Sequence, residues 1–247
     1  GMLNHQTTTQ LQALGLHGML RVLNRQLDEP QTQKLSFDER FAMLLDAEVN
    51  DRDGRKIERL LKSAKLRQPS ACLEDVDYRA SRGIDAAMVA SLGDCAWIAR
   101  RQNLALTGVT GTGKSWLACA FGKQACRSGY SVYFTTATLL FENLVTAQAD
   151  GSLPKLRRQL VKMQLLIIDD FGIGGIDVHL GPILLDIIDQ QSMQGSLLIT
   201  SQFPPEKWYD LFNDPTVADA ILDRIVHRAH FMELKGESMR KVRAKKI

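Results

Sequence analysis

Gly108-Val109-Thr110-Gly111-Thr112-Gly113-Lys114-Ser115 is the stretch that decides how the rest of this chain is read. It fits the pattern G-x-x-x-x-G-K-[ST] of a phosphate-binding loop. Its flanks agree. Leu104-Ala105-Leu106 leads in as a short buried strand, and Trp116-Leu117-Ala118-Cys119-Ala120-Phe121 leads out as a packed helix closed by Gly129. Glycines let successive backbone N–H groups turn toward an anion and let a polyphosphate approach without a Cβ in the way. The expected nucleotide contacts are therefore Gly108, Thr110, Gly111, Thr112, Gly113, Lys114, Ser115 and Trp116. Among them Lys114 neutralises β- and γ-phosphates and Ser115 offers a hydroxyl to Mg²⁺.

Two further strands end in polar residues. Leu165-Leu166-Ile167-Ile168 runs into Asp169-Asp170, about fifty residues after the loop. Paired carboxylates at the end of a buried strand need a cation or water. Asp169 suits a place beside Mg²⁺ with Ser115, and Asp170 suits orienting and deprotonating an attacking water. Leu197-Leu198-Ile199 runs into Thr200-Ser201-Gln202, any of which could hold the γ-phosphate or that water, with Gln202 as the candidate. Strands are expected at 104–107, 131–135, 165–169, 197–201 and 230–234. Helices are expected near 114–128, 137–149, 153–163, 178–194 and 216–229. That alternation means crossover connections and a parallel five-stranded sheet covered on both faces, a three-layer α/β sandwich whose strand ends line one edge.

The first 70 residues differ. Leu11, Leu14, Leu20, Leu23 and Leu27 recur at helical spacing. Ser36 and Glu39 make a capping box opening a second helix with Phe41, Leu44, Leu45 and Val49, and Ile57, Leu60, Leu61 and Ala64 give a third before Pro69. The expected organisation is a small all-helical domain over 1–70 and a nucleotide-binding domain over 71–247.

At 247 residues, 45% hydrophobic and 24% charged, the chain has an ordinary globular composition, and a net charge of +3 is too small to imply nucleic acid. The distribution of charge says more. Arg52, Arg55, Lys56, Arg59, Lys62, Lys65 and Arg67 crowd one segment, and Lys235, Arg240, Lys241, Arg243, Lys245 and Lys246 crowd another. Arg55, Arg59 and Lys62 are the candidate DNA contacts, on a helix that Asp51, Asp53 and Glu58 partly neutralise. The four cysteines form no C-x-x-C pair and read as reduced thiols of a cytoplasmic protein. His227 and His230 lack partners for a metal site. No apolar run approaches the length of a membrane span.

Asn213-Asp214-Pro215-Thr216 starts a helix with a capping residue and a proline in its first turn. Arg224 lies at the rim of that helix's apolar face. It is either a surface ion pair or an arginine finger reaching a neighbouring subunit's γ-phosphate. Arg240 is a second phosphate-sensor candidate.

Taken together, the loop with Trp116-Leu117-Ala118, Asp169-Asp170, Thr200-Ser201-Gln202, Asp214-Pro215-Thr216 through Asp223-Arg224, and Glu233-Leu234-Lys235-Gly236-Glu237-Ser238-Met239-Arg240 resemble the IstB transposition-helper ATPases. The N-terminal Leu-rich helices and Tyr78-Arg79-Ala80 match as well. These are AAA+ P-loop NTPases of the initiator clade, related to DnaC-type helicase loaders. The resemblance implies an ATP- and Mg²⁺-dependent homo-oligomer on duplex DNA that recruits and stimulates a partner transposase of the IstA type. It also implies that the helical segment near 137–164 touches DNA. Two positions depart from the pattern: many relatives carry Asp-Glu where this chain has Asp169-Asp170, which implies slow hydrolysis, and Asn where it has Gln202. A helicase loader and a non-hydrolysing, ATP-switched DNA scaffold are the competing expectations.

Overall fold

A computed structural model of the chain describes residues 4–79, 83–172, 176–177 and 179–236. Two compact units divide the chain, Gly1–Arg59 and Leu60–Ile247.

The first unit is helical. α1 (His5–Ala13) and α2 (His17–Asp28) precede α3 (Phe37–Ala64), whose last turns belong to the second unit. Leu11 to Leu27 do not form one helix, because Gly15 takes a left-handed conformation (φ +72°) between α1 and α2. The reverse holds downstream, where the two helices expected from Phe41 to Ala64 are one 28-residue helix. Gly54 weakens a helix interior by only about 1 kcal/mol and does not stop it. The Ser36–Glu39 capping box forms in both directions: the Glu39 amide donates to Ser36 Oγ (3.2 Å) and the Ser36 amide to a Glu39 carboxylate oxygen (3.3 Å). Gly18 lets α2 approach α3 closely, since a Cβ there would meet the Ala47 carbonyl oxygen at 2.8 Å. Glu48, nearly buried, accepts from the Gly18 and Met19 amides at the start of α2 and pairs with Arg52 and Arg55. Those hydrogen bonds and Arg52 hold its carboxyl below the usual carboxylate range against the opposing pull of burial.

The second unit is the α/β sandwich. α4 (Ala86–Leu92) and α5 (Ala96–Ala99) lead to β1 (Asn103–Thr107) and α6 (Lys114–Arg127). Then come β2 (Val132–Thr136), α7 (Ala137–Asp150), α8 (Leu153–Val161) and β3 (Leu165–Asp169). α9 (Leu180–Ser192), β4 (Ser196–Ser201), α10 (Pro215–Val226) and β5 (Ala229–Glu233) complete it. The five strands pair in the order β2-β3-β4-β1-β5, and each pairing is parallel. Successive side chains divide between two cores, as period two requires. Leu104, Leu106, Leu165, Ile167 and Leu198 pack with α6, while Ala105, Leu166, Ile168, Leu197 and Ile199 pack with α7, α9 and α10.

The unit boundary at Arg59/Leu60 lies ahead of the expected division at residue 70. Its cause is packing: Leu60, Leu61, Ala64, Leu66 and Ala71 join the core around α6. Ahead of β1 the helical chain is broken into α4 and α5, with Cys95 left-handed (φ +62°) between them. Burial pushes the thiols of Cys95, Cys119 and Cys126 up, that of Cys126 to about 12, and all four cysteines are free.

Candidate nucleotide site

The phosphate loop bridges the end of β1 and the start of α6, on the edge where β3 and β4 also end. Its first glycine is required by space: a Cβ on Gly108 would meet the Leu234 carbonyl oxygen at 2.4 Å. Gly113 has open space around it, so its need is conformational, a φ of +93° that an L side chain rarely adopts. The Gly108 amide donates to the Ser201 carbonyl (3.2 Å) and the Leu234 amide to that of Thr107 (2.7 Å), tying the loop's root to both neighbouring strands. Thr112 is buried and its hydroxyl donates to the Val109 carbonyl (2.9 Å).

Lys114 is 6% exposed, and its ammonium donates to the Gly108 (2.6 Å) and Val109 (3.0 Å) carbonyls inside the loop's own curve. Burial lowers its pKa, opposed by the charges of Asp170 and Asp169. The cation is thus held at the place that the loop wraps.

Asp169 is the centre of the polar network. It is fully buried, and Ser115 Oγ lies 2.9 and 2.8 Å from its two carboxylate oxygens. Thr200 Oγ1 donates to Oδ1. A buried carboxylate without a compensating cation is costly, and the ion pair made to it is with Arg67, 3.8 Å from Oδ2. A hydroxyl and a carboxylate meeting at the root of a phosphate loop fit Mg²⁺, a hard cation that takes oxygen ligands and commonly one or two carboxylates beside phosphates. Ser115 would ligate it and Asp169 would hold it from behind.

Asp170 leaves the strand in a left-handed conformation (φ +58°), which Asp tolerates better than most residues. Its amide donates to Thr200 Oγ1 (2.9 Å) and the next amide, of Phe171, to the Thr200 carbonyl (2.8 Å). Thr200 therefore fixes both halves of the Asp pair. Burial and then the neighbouring Asp169 raise the Asp170 pKa, against Arg67 and Lys114, which makes its carboxylate a better proton acceptor.

The three polar residues ending β4 have different surroundings. Thr200 belongs to the Asp169–Asp170 network. Ser201, buried, donates to the Phe171 carbonyl (2.7 Å) and accepts from the Phe203 amide (3.1 Å), a turn-holding role. Gln202 is exposed and meets Thr110 Oγ1 of the phosphate loop at 3.1 Å.

Arg224 is elsewhere. Asn103, which opens β1, donates its side-chain amide to the Arg224 and Ile225 carbonyls, 3.0 Å each, pinning this end of α10 to the opposite end of the strand from the loop. A five-residue strand spans roughly 16 Å, beyond the reach of one side chain. The guanidinium pairs with Asp189 (2.6 Å) and Asp223 (3.0 Å), and Asp189 chiefly raises its pKa. Arg240 and the basic run 241–246 lie outside the described residues. Arg55, Arg59 and Lys62 are exposed along α3; Arg55 is shared with Glu48, whereas Arg59 and Lys62 form no ion pair among the described residues. No group of three or more metal-binding side chains occurs among the described residues, and no helix among them is long and apolar enough to cross a membrane.

Sequence reasoning missed Arg67 and could not separate Thr200 from its neighbours. In the sequence Arg67 is one member of a basic run, and nothing in composition marks it as the one that pairs with Asp169.

The IstB-like ATP binding protein family model matches residues 9–246. The chain belongs to that family. Over 245 residues it is 42% identical to the insertion-sequence protein y4pL of Sinorhizobium fredii, covering 99% of this chain and all of that one. It is 45% identical over 203 residues to the IS1162 insertion-sequence protein of Pseudomonas fluorescens, covering 82% of this chain and 88% of that one. Among solved structures, DnaI aligns with a TM-score of 0.57 at 20% identity, over 72% of this chain and 94% of DnaI. That likeness shows the fold, a parallel three-layer α/β sandwich carrying a phosphate loop.

Proposed function

We propose that this IstB-type insertion-sequence protein binds ATP with Mg²⁺, assembles on duplex DNA, hydrolyses the nucleotide slowly and recruits a partner transposase. The observation that carries the reading is the Ser115–Asp169–Thr200 network. It joins the phosphate loop, the acidic strand end and the neighbouring strand at one edge of a parallel sheet. Lys114 and the loop amides bind phosphates, Ser115 and Asp169 hold Mg²⁺, and Asp170, set by Thr200, deprotonates water. Gln202, which meets Thr110 of the phosphate loop, senses the terminal phosphate in this reading. The bound metal supplies charge neutralisation on the β- and γ-phosphates. The deciding experiment images the purified protein with an ATP analogue, Mg²⁺ and duplex DNA, and measures single-turnover hydrolysis. Ordered assemblies that need both nucleotide and DNA are expected. ATP binding without hydrolysis under any condition would favour the scaffold reading, and capture of a replicative helicase rather than a recombinase would favour a loader.

Because Arg224 is remote from its own phosphate loop, its catalytic use requires a neighbouring subunit. Arg224→Ala is expected to bind ATP normally and lose about 10³-fold or more in hydrolysis, the scale of an arginine finger. Mixing it with Lys114→Ala subunits should restore part of the activity at shared interfaces. No rescue at any ratio, with wild-type hydrolysis linear in protein concentration, would leave Arg224 as the ion pair with Asp189.

For DNA, spacing 55, 59, 62 places three cations on one face of α3. Each phosphate contact contributes about 0.9 to the slope of log affinity against log salt. Replacing all three by Ala is expected to flatten that slope by up to about 3, least at Arg55 because Glu48 already holds it, with ATP affinity unchanged in the absence of DNA. An unchanged slope moves the DNA surface to α7 and α8.

A further inference from the structure

Arg67 lies three residues beyond the end of α3 and is not part of any phosphate-loop motif. Its backbone is anchored. Leu66 is buried against Gly122 of α6, where a Cβ would come within 2.9 Å of the Leu66 side chain. The main chain of Arg67 and Gln68 lies beside the Cys119 thiol of α6 and draws its pKa down against the upward push of burial. The head of the side chain is free by comparison, 59% exposed, with its guanidinium 3.8 Å from Asp169 Oδ2. That separation is an ion pair without a hydrogen bond, so little holds the guanidinium in this place. Lys114 does not compete for Asp169, since its ammonium is engaged by two loop carbonyls. Arg67 is accordingly the cation that balances a fully buried carboxylate.

We propose that Arg67 is an exchangeable counterion and a nucleotide ligand: it neutralises Asp169 when Mg²⁺ is absent and passes to the γ-phosphate when Mg²⁺ and ATP bind. The inference rests on the nucleotide reading above. A dication held by Ser115 and Asp169 repels a guanidinium on the same carboxylate, and the exposed head can swing without moving its anchored backbone. The anion that arrives with the metal is the terminal phosphate, on the Asp169–Asp170 side of the site that Arg67 already faces. Planar guanidinium groups bind phosphate oxygens in pairs and keep their charge at any relevant pH. Lys114 and Arg67 then grip the triphosphate from two sides.

The test titrates the full chain with fluorescent ATP and ADP analogues in Mg²⁺. Arg67→Ala is expected to weaken the ATP analogue about tenfold, the effect of one charge-assisted hydrogen bond, and the ADP analogue far less, with partial recovery in Arg67→Lys. Thermal melting without nucleotide reports folding, and Arg67→Gln, which keeps the stem, carries the test if Arg67→Ala does not fold. Wild-type affinity of the variant for both analogues overturns the proposal, as does an equal loss for both, because then no γ-phosphate contact is involved. A wild-type chain that binds neither analogue overturns the nucleotide reading instead.

Discussion

Lys114→Ala is expected to abolish productive ATP binding while leaving the fold in place. The ammonium is the cation inside the loop, and its two hydrogen bonds go to the loop's own carbonyls rather than to the sheet or either core. Removing it costs the nucleotide a charge-assisted interaction with the β- and γ-phosphates, about 2–4 kcal/mol or roughly 30- to 1,000-fold in affinity. The nucleotide-free protein should melt within a few degrees of wild type, as expected for a change outside the packed cores. The two proteins should part when ATP and Mg²⁺ are added. At a hundred times its dissociation constant a ligand stabilises the wild type by about 2.7 kcal/mol, and the variant should gain almost nothing. A fluorescent-analogue titration with wild-type affinity in Lys114→Ala would sink the phosphate-loop assignment.

Much of the α/β sandwich was legible because its signals are local. β1 to β4 each carry three or four consecutive apolar residues ended by polar ones, and the observed limits of β1 to β5 fall within a residue of those expected. Burial on both faces explains why these strands read as continuous apolar runs rather than as alternation. The helical segment was legible in kind and less so in its breaks. Gly15, with φ positive, ends a helix that leucine spacing alone would continue, whereas Gly54 sits inside α3 without interrupting it. Composition treats the two glycines alike; only the backbone conformation distinguishes them.

The candidate site divides in the same way. A motif names the residues whose spacing the chemistry imposes, so the loop and the Asp pair can be picked out from the chain alone. It does not tell which of Thr200, Ser201 and Gln202 faces which neighbour, because the answer depends on how β4 registers against β3 and β1. In the structure Thr200 binds the Asp169–Asp170 corner, Ser201 closes a turn and Gln202 meets the loop. Arg67 is the extreme case. More than one hundred residues separate it from Asp169, and it reaches that carboxylate only because Leu66, packed against Gly122 of α6, fixes the chain that carries it. Arg224 was placed by the same kind of contact. Asn103 ties it to the far end of β1, which turns an ambiguous surface arginine into one that can serve a phosphate only in another subunit.

Asp170→Asn is expected to keep ATP binding and to slow hydrolysis by about 10²–10⁴-fold, the contribution of a positioned general base. Asn has nearly the same shape, and the backbone amide that donates to Thr200 Oγ1 is unaffected, so the corner should hold its geometry. What is lost is the proton acceptor. Burial and the adjacent Asp169 raise the Asp170 pKa, so the wild-type carboxylate binds a proton more strongly than a free aspartate does, and an amide binds none at neutral pH. Asp169→Asn should behave differently. It removes the charge behind Ser115 and disturbs the hydroxyls of Ser115 and Thr200 together, so Mg²⁺-dependent affinity should fall along with turnover. The measurement is a pair of titrations and single-turnover rates for both variants, with and without Mg²⁺. Asp170→Asn should accumulate as a long-lived ATP-bound assembly on DNA, visible by imaging at times when the wild type has turned over. A wild-type hydrolysis rate in Asp170→Asn, with the loss confined to Asp169→Asn, would reverse the two roles and make the buried carboxylate the one that handles water.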